Sequence, residues 1–269
     1  MNSKAYAQPH PEIGTELIRE WAPRGDPRAY VVLVHGLGEH SGRYERTGSL
    51  LADAGLFVRS FDLIGGGGSG GRRWDIDEWG RFHDQIASHV VWAKGHGQPV
   101  VLMGHSLGGN LCLGYVLSER PKPDLLVLSG PYILESPAWR RGLAAIAARI
   151  APKLAIPNPF AADLLSRDAE VVQAYLSDPL VTTKSTLRML HAIATSASEL
   201  RVALGGLDIP TLVVNGSEDR IAPPSSCEIL EELDNVDRRV YEGLRHETLN
   251  EPEGPLVVAD VIAWIDAHI

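Results

Sequence analysis

The feature that most constrains the fold is the pentapeptide Gly104-His105-Ser106-Leu107-Gly108, which matches the pattern G-x-S-x-G. It directly follows an apolar run at residues 99–103 and directly precedes a helix-like stretch at residues 109–118. A serine at a sharp strand-to-helix turn projects its hydroxyl above the sheet, and the following helix aims free N–H groups at any oxyanion formed there. Small residues on both sides permit the strained turn. The pattern therefore predicts that Ser106 is a nucleophile.

Strand-like and helix-like segments alternate along most of the chain. The strand-like runs are residues 30–34, 56–61, 100–103, 125–128, 211–214 and 239–241. The helix-like stretches outside the middle of the chain are residues 43–54, 76–94 and 252–269. This alternation predicts an α/β protein with a mostly parallel sheet that helices cover on both faces. Residues 15–21 alternate more like an antiparallel edge strand.

The segment between the predicted strands at 125–128 and 211–214 contains no convincing strand. Apolar side chains recur at helical spacing at Trp139, Leu143, Ile146 and Ile150. Residues 164–176 and 187–200 also have helical character. A structureless loop of this length is implausible in a compact domain, so the segment is predicted to be helical.

We interpret residues 131–205 as a helical cap inserted into a core that is formed by residues 1–130 and 206–269. The cap is expected to lie over the carboxyl edge of the sheet, where the nucleophile is predicted. The alternative is that these helices are ordinary crossover connections without a lid role.

A serine hydroxyl needs a base within hydrogen-bond reach and a further group that orients the base. The histidines downstream of the nucleophile are His191, His246 and His268. His246 lies in a loop after the last predicted strand and before the closing helix, so its imidazole can reach the sheet edge. We predict that His246 is the base.

The acid is expected after the strand at residues 211–214. In chains with a G-x-S-x-G nucleophile turn, the acid follows the nucleophile and precedes the histidine. Asp219 and Glu218 are adjacent there, and Asp208 is a weaker candidate because it precedes that strand. The spacing alone leaves Asp219 and Glu218 open.

An oxyanion hole needs two N–H donors that point to the developing charge. One predicted donor is the amide of Leu107, directly after the nucleophile. The other is the amide of Leu37, which lies between two glycines in the turn after the first buried strand. His35 and His105 are interpreted as structural, and no second ligand at metal spacing accompanies them, so no metal is expected.

Two segments resemble the same known family. Residues 35–44 read His-Gly-Leu-Gly-Glu-His-Ser-Gly-Arg-Tyr, and residues 104–109 read Gly-His-Ser-Leu-Gly-Gly. They closely resemble the oxyanion-loop signature and the nucleophile elbow of the monoacylglycerol lipase family of α/β-hydrolases. The resemblance implies the α/β-hydrolase fold with a helical cap between two late strands.

Further segments extend this resemblance from about residue 16 to the end of the chain. Residues 215–220 resemble the acid loop of the family with Asp219 in the acid position, which favours Asp219 over Glu218. His246 and the following glutamate resemble the histidine segment of the family. Residues 178–181 in the cap also resemble the family's sequences. By similarity, Glu39 and Arg43 are expected near the glycerol end of a bound monoglyceride.

The sequence departs from the family after Asp62. Relatives typically carry Asp-x-x-Gly-His-Gly-x-Ser-x-Gly there, whereas this chain has Gly66 in the histidine position and Gly68 in place of a larger residue. The glycine run also fits G-x-G-x-x-G, but no helix is predicted to open directly after it, so no nucleotide cofactor is expected. Because glycines lose more backbone entropy on ordering, this loop is expected to be mobile or less well packed than in relatives.

Composition excludes several classes of function. The formal net charge is −9 and no basic patch is evident, which argues against binding to nucleic acid or to an anionic membrane. No signal-peptide pattern begins the sequence, so a cytoplasmic location is expected, with at most transient contact with lipid aggregates. Cys112 is expected to be a small buried hydrophobe, and a disulfide with Cys227 is not favoured.

These observations predict a carboxylester hydrolase that cleaves monoacylglycerols or similar esters of apolar acyl chains, without a cofactor. The apolar stripe of Trp139, Leu143 and Ile146 is expected to supply one wall of an acyl tunnel, although such a stripe is more often ordinary core. One alternative is a peptidase or amidase that holds a substrate amine with the cap carboxylates Glu135, Asp163, Asp168 and Glu170. Another is a hydrolase-like protein that binds a small ligand without turnover.

Overall fold

A mostly parallel sheet forms the centre of the protein in the computed structural model, which describes residues 3–269. The strands in chain order are β1 (Lys4–His10), β2 (Gly14–Trp21), β3 (Ala29–Val34), β4 (Leu56–Phe61), β5 (Val100–His105), β6 (Leu125–Ser129), β7 (Ala155–Pro157), β8 (Lys184–Thr186), β9 (Thr211–Gly216) and β10 (Val236–Tyr241). All except β7 and β8 form one sheet in the order β1-β2-β4-β3-β5-β6-β9-β10. Strand β2 is antiparallel to both of its neighbours, and the other pairs from β4 to β10 are parallel. The predicted α/β fold with a mostly parallel sheet is confirmed.

Helices cover both faces of this sheet. The α-helices are α1 (Glu45–Asp53), α2 (Gly80–Lys94), α3 (Leu107–Val116), α4 (Ala138–Ile150), α5 (Ala169–Ser177), α6 (Leu187–Ala203) and α7 (Gly254–Asp266). Short 3-10 helices occupy Ser41–Tyr44, Ala162–Leu164, Leu204–Gly206 and Pro224–Glu232. The helix predicted at residues 76–94 begins four residues later, at Gly80, and the closing helix is shorter at both ends than residues 252–269.

The central strands are buried on both faces. Every residue of β3, β5, β6 and β9 is buried, as expected for apolar runs in a doubly covered parallel sheet. One core cluster includes apolar side chains of α2, α3 and α6, and the other includes those of α1 and α7. These two clusters pack the helices against the sheet. The candidate site lies at the edge formed by the carboxyl ends of β3, β5, β9 and β10.

The segment between β6 and β9 contains α4, β7, α5, β8 and α6. Strands β7 and β8 form a separate antiparallel pair that the sequence did not predict. Helix α6 packs against α3, and its Met189, Ile193 and Leu200 belong to a core cluster. Arg188, at the start of α6, forms a bidentate ion pair with Asp75, which follows the glycine-rich loop. The segment is therefore attached firmly to the sheet.

The N-terminal strand is a correction to the expected edge of the sheet. The sequence analysis assigned no element to residues 4–10, yet Lys4–His10 pairs antiparallel with β2 along its full length. Strand β2 is therefore the second strand of the sheet rather than its edge. Polar side chains are tolerated in β1 because an edge strand faces solvent on much of its surface.

Both cysteines are buried and free. Cys112 lies inside α3 as a small core residue, as expected, and Cys227 lies in the 3-10 helix Pro224–Glu232. Within residues 3–269, the longest apolar helices are too short or too polar to cross a membrane.

Candidate active site

Ser106 occupies a strained turn between β5 and α3. Its backbone has φ 53° and ψ −116°, a region that costs a non-glycine residue about 1–3 kcal/mol. The strain is fixed by hydrogen bonds from the Ser106 amide to the carbonyl of Ser129 and from the amides of Asn110 and Tyr132 to the Ser106 carbonyl. Strain that the surrounding structure holds in place is typical of functional residues.

Glycine is required on both sides of this turn. A Cβ atom at Gly104 would lie 2.4 Å from the carbonyl oxygen of Gly108 and 2.7 Å from the Sγ of Cys112. A Cβ atom at Gly108 would lie 2.2 Å from the carbonyl oxygen of Val34. The two glycines therefore let α3 pack directly on β5 and β3, which brings the serine to the sheet edge.

His246 and Asp219 form a buried pair. Nδ1 of His246 lies 2.7 Å from Oδ2 of Asp219, and Oδ1 of Asp219 accepts hydrogen bonds at 2.9 Å from the amides of Ile221 and Ala222. An ionised carboxylate only accepts hydrogen bonds, so it fixes the proton of the imidazole on Nδ1. Nε2 is then free to accept a proton, as a general base must.

The other candidate acids and bases lie elsewhere. The side chain of Glu218 is 56% exposed and faces Arg220 at 4.0 Å, whereas Asp208 forms an ion pair with Lys122 on the surface. His191 is on α6 and His268 bonds the carbonyl of Trp264 near the C-terminus. The structure thus brings Asp219 rather than Glu218 to His246.

Ser106 and His246 line the same small cavity, which is called the polar cavity below because the charged side chains of Glu39, Arg43 and Glu247 also line it. His105 packs its ring against that of His246 with a centroid distance of 4.7 Å, and its Nδ1 lies 3.0 Å from the carbonyl of Ser129. Burial, together with the neighbouring His246, lowers the pKa of His105, so its ring is neutral. A neutral ring suits a packing partner of the base because it does not repel the imidazolium that forms during catalysis.

The two expected oxyanion donors flank the nucleophile. Leu37 and Leu107 both line an apolar cavity with Ser106, and Leu107 is the first residue of α3, so the helix does not use its N–H group. Among residues 3–269, no acceptor is assigned to the amide of Leu37. The turn is supported by His35, whose Nδ1 and Nε2 engage the Gly36 carbonyl and the Leu63 amide.

The polar cavity contains a buried chain of charges, in which Arg43 lies between two carboxylates. Nη1 of Arg43 donates to Glu39 at 2.9 Å, and Nη1 and Nη2 both donate to Glu247, at 2.5 and 2.8 Å. Burial opposes ionisation of Glu39, but Arg43 and other neighbours outweigh it and lower the pKa of that carboxyl to about 2. Glu39 also accepts hydrogen bonds from the Gly36 amide and the Tyr44 hydroxyl. Glu39 and Arg43 therefore brace the oxyanion loop and line the cavity at the same time.

Tyr175 of α5 is a site residue that the sequence reasoning missed. Its ring lies under the Arg43 guanidinium, with 4.9 Å from Cζ to the ring centroid, and it lines the polar cavity. Its hydroxyl is buried without a partner among residues 3–269. A buried hydroxyl is costly to leave unpaired. No local pattern in the sequence marks this tyrosine.

An apolar cavity of about 400 Å³ adjoins the polar one at Leu37, Ser106 and Phe160. This volume is in the usual range for small-molecule sites. Its other lining residues are Leu107, Tyr132, Leu134, Ser136, Pro159, Leu164, Leu190, Ile193, Ala194, Arg220 and Ile221. Much of its wall thus comes from the segment between β6 and β9, through α6 and the loop after β7.

The expected role of the α4 stripe is wrong. Trp139, Leu143 and Ile146 line neither cavity, and their exposed fractions are 63%, 60% and 58%. Helix α4 packs against α6 with its opposite side, so the stripe faces outward. Residues of α6, which carries a less obvious apolar stripe, form the wall instead.

The glycine-rich loop is well packed, contrary to the expectation. Gly65, Gly66 and Gly67 are buried, and Asp62 binds the amides of Ser41 and Gly68 with its two carboxylate oxygens. A Cβ atom at Gly66 would lie 3.1 Å from the ring of Trp74, which itself has φ 41°. Trp74 therefore closes the space beside Gly66 and, with these hydrogen bonds, offsets the entropy cost of ordering the glycines.

The fold and the site together define a class. A serine in a strained strand–helix turn and a buried histidine–aspartate pair after later strands are the parts of a serine hydrolase of the α/β-hydrolase fold. Among residues 3–269, no cluster of three or more side chains is placed to hold a metal ion.

Comparisons with known proteins agree with this class. The family model described as "Serine aminopeptidase, S33" matches residues 25–253. The monoacylglycerol lipase of Mycolicibacterium smegmatis is 35% identical over 258 residues, which cover 93% of this chain and 92% of that protein. Human monoglyceride lipase is 33% identical over 240 residues, or 85% of this chain and 78% of that protein. The crystal structure of Paleococcus ferrophilus monoacylglycerol lipase matches with a TM-score of 0.84 at 28% identity, covering 99% of this chain and 100% of that one. This chain belongs to the monoacylglycerol lipase-like family of α/β-hydrolases.

Proposed function

We propose that this protein hydrolyses monoacylglycerols, or similar esters that join an apolar acyl chain to a small polar alcohol. The observation that carries the proposal is the place of Ser106, at the boundary between a polar cavity and an apolar cavity. An ester bound across this boundary has its alcohol among the charged groups, its acyl chain in the apolar space and its carbonyl at the serine. The names of the similar proteins support the same substrate class.

The reaction proceeds through an acyl-enzyme. Nε2 of His246 takes the proton of the Ser106 hydroxyl as the oxygen attacks the ester carbonyl, and the Asp219 carboxylate stabilises the imidazolium. The amides of Leu37 and Leu107 donate to the oxyanion of the tetrahedral intermediate. His246 then protonates the departing alcohol oxygen. Water, activated by the same histidine, releases the fatty acid in the second half of the reaction.

The charges around the polar cavity favour a neutral alcohol over an anionic head group. Both Nη groups of Arg43 are engaged by carboxylates, so it has little capacity left for an anionic head group. Glu39 and Glu247 give the cavity a net negative charge, which hydroxyl donors tolerate and phosphates do not. The unpaired hydroxyl of Tyr175 is an additional partner for the alcohol.

Residues 131–205 act as the cap in this proposal, above a core of residues 1–130 and 206–269. The support is that Phe160, Leu164, Leu190 and Ile193 from this segment line the apolar cavity. The four carboxylates considered for a peptidase, Glu135, Asp163, Asp168 and Glu170, line neither cavity. The family description "Serine aminopeptidase, S33" points to a peptidase, but no residue that lines either cavity supports that activity. The cytoplasmic location stays a prediction from the sequence.

The test is a comparison of purified wild-type protein with Ser106→Ala. The substrates are 1-monoacylglycerols of graded chain length, a 4-nitrophenyl ester and an aminoacyl anilide. We expect the wild type to release fatty acid from the monoacylglycerols and to leave the anilide intact. The folded variant is expected to cleave none of the substrates. Turnover in Ser106→Ala, or faster cleavage of the anilide than of the esters, would overturn the proposal.

A further inference from the structure

The loop that carries the amide of Leu37 is held from two sides. On the side of the sheet, Glu39 binds the Gly36 amide and Asp62 binds the Ser41 amide. The opposite side of the loop faces the segment Asp178–Thr182, which follows α5 and lies within residues 131–205.

Two hydrogen bonds join these segments. The amide of Thr182 donates to the carbonyl of Gly38 at 2.8 Å. Nε2 of His40 lies 2.8 Å from Oδ2 of Asp178, while Nδ1 of His40 accepts from the amide of Gly42. Because Nδ1 is an acceptor, the ring proton is on Nε2 and His40 donates to Asp178. The two bonds flank Glu39, one residue on each side.

The segment that makes these contacts is itself braced. Oδ1 of Asp178 accepts from the amide of Leu180 at 2.8 Å, and the Asn158 side chain donates to the Thr182 carbonyl. The approach to the loop is also close, since a Cβ atom at Gly38 would lie 2.8 Å from the Thr182 carbonyl oxygen. Gly38 has φ 82°, so glycine is needed here for both space and conformation.

Neither His40 nor Asp178 lines the polar or the apolar cavity. His40 is nonetheless buried, at the N-terminal end of the 3-10 helix Ser41–Tyr44, three residues from Leu37. A change at this pair therefore alters the oxyanion loop without removing a contact to the ester or to its acyl chain.

We propose that Asp178, acting through His40, is a positioning residue that fixes the oxyanion loop from the side of the cap. This inference rests on the proposed function in one respect, the role of the Leu37 amide as an oxyanion donor. A donor displaced by a fraction of an ångström stabilises the transition state less, while ground-state binding of the ester changes little. The consequence is a loss of kcat at nearly constant KM.

The test compares Asp178→Ala, which removes the bond from His40 together with the bond from the Leu180 amide, with Asp178→Asn. The single amide oxygen of Asn can accept from His40, but then not also from Leu180. Asp168→Ala is the matched control, because Asp168 caps the same helix α5 through the amide of Glu170 but makes no bond to the oxyanion loop. For Asp178→Ala we expect kcat to fall about 10- to 100-fold with KM within about twofold. Asp178→Asn is expected to recover most of kcat, and Asp168→Ala to keep it.

Each variant is assayed on a monoacylglycerol and on 4-nitrophenyl butyrate, with thermal unfolding recorded in parallel. The nitrophenyl ester needs the oxyanion hole but not the glycerol pocket, so a wild type inactive on monoacylglycerols would overturn the proposed function and leave this test intact. If Asp178→Ala does not fold, His40→Ala provides the loss of the bond, and His40→Gln, whose amide NH2 can still donate towards Asp178, replaces Asp178→Asn as the conservative variant. Unchanged kcat in the folded bond-deleting variants, or a rise in KM that accounts for the whole loss, would overturn the inference.

Discussion

Replacing Asp219 by Asn tests the proposed orientation of the catalytic histidine. The change preserves shape but replaces one carboxylate oxygen by an NH2 group. The side-chain oxygen can still accept from the amides of Ile221 and Ala222, as Oδ1 of Asp219 does at 2.9 Å. The NH2 group then faces Nδ1 of His246, where the carboxylate oxygen lies at 2.7 Å in the wild type.

This arrangement forces the wrong tautomer of the imidazole. Because Nδ1 must now accept a hydrogen bond rather than donate one, the ring proton moves to Nε2, which can no longer remove the proton from Ser106. The fold of the loop is retained through the two amide bonds. We therefore expect kcat to fall about 10⁴-fold, equivalent to about 5 kcal/mol of transition-state stabilisation, with little change in KM.

The assay is steady-state release of fatty acid from a monoacylglycerol at about pH 7.5, above the ordinary pKa of a histidine. Glu218→Gln is the matched control, because this neighbouring side chain is exposed and contacts Arg220 rather than His246. Its kcat should equal that of the wild type. The reasoning is refuted if folded Asp219→Asn keeps more than about a tenth of wild-type kcat, or if Glu218→Gln loses as much.

Three further predictions concern packing, specificity and acid stability. Gly108→Ala should destabilise the protein by more than about 3 kcal/mol in urea unfolding, because its Cβ would lie 2.2 Å from the carbonyl oxygen of Val34. Gly142→Ala, in α4 with nothing within 4 Å, should stabilise it by about 0.5–1 kcal/mol, and equal effects would contradict the packing argument. Ile193→Trp fills part of the apolar cavity, so the preferred acyl chain of the substrate should become shorter. The rate of hydrolysis of 4-nitrophenyl acetate should not change. An unchanged dependence of the rate on acyl chain length would place the acyl chain elsewhere. Arg43 and the other neighbours outweigh burial and lower the pKa of Glu39 from 4.5 to about 2 in the folded protein, so the stability that its ionised form contributes is present above pH 4.5 and is lost as the pH falls towards 2. Unfolding temperatures measured over that range should fall less steeply for Glu39→Gln, and parallel curves would contradict this assignment.

The sequence was sufficient for the fold class because the relevant signals are local. Apolar runs between turn residues mark the central strands, and the order of nucleophile, acid and histidine follows from the topology of the sheet. Asp219 and Glu218 could not be separated by spacing. Only the turn after β9 decides which of two adjacent carboxylates points towards His246.

The wall of the apolar cavity could not be predicted because periodicity shows that a helix has an apolar face but not what that face contacts. The regular stripe of Trp139, Leu143 and Ile146 faces outward, whereas α6 supplies Leu190 and Ile193 to the cavity. Tertiary packing decided between the two helices.

Tyr175 and the glycine-rich loop show a second limit of prediction from sequence. The position of the tyrosine and the packing of the loop both depend on contacts between residues distant in sequence. The tyrosine reaches Arg43 only through the position of α5, and Gly66 is packed by Trp74 across a turn. Entropy arguments about a loop are therefore incomplete without the residues that cover it.

The most direct test of the central claim is to locate the nucleophile and to link it to monoacylglycerol hydrolysis in one titration. The protein is treated with increasing amounts of a fluorophosphonate, the modified residue is identified by peptide mass spectrometry, and the remaining hydrolysis of a monoacylglycerol is measured at each point. We predict a single adduct on Ser106 and a loss of hydrolysis in proportion to the labelled fraction. An adduct on another residue, or full hydrolysis by protein fully labelled at Ser106, would contradict the account.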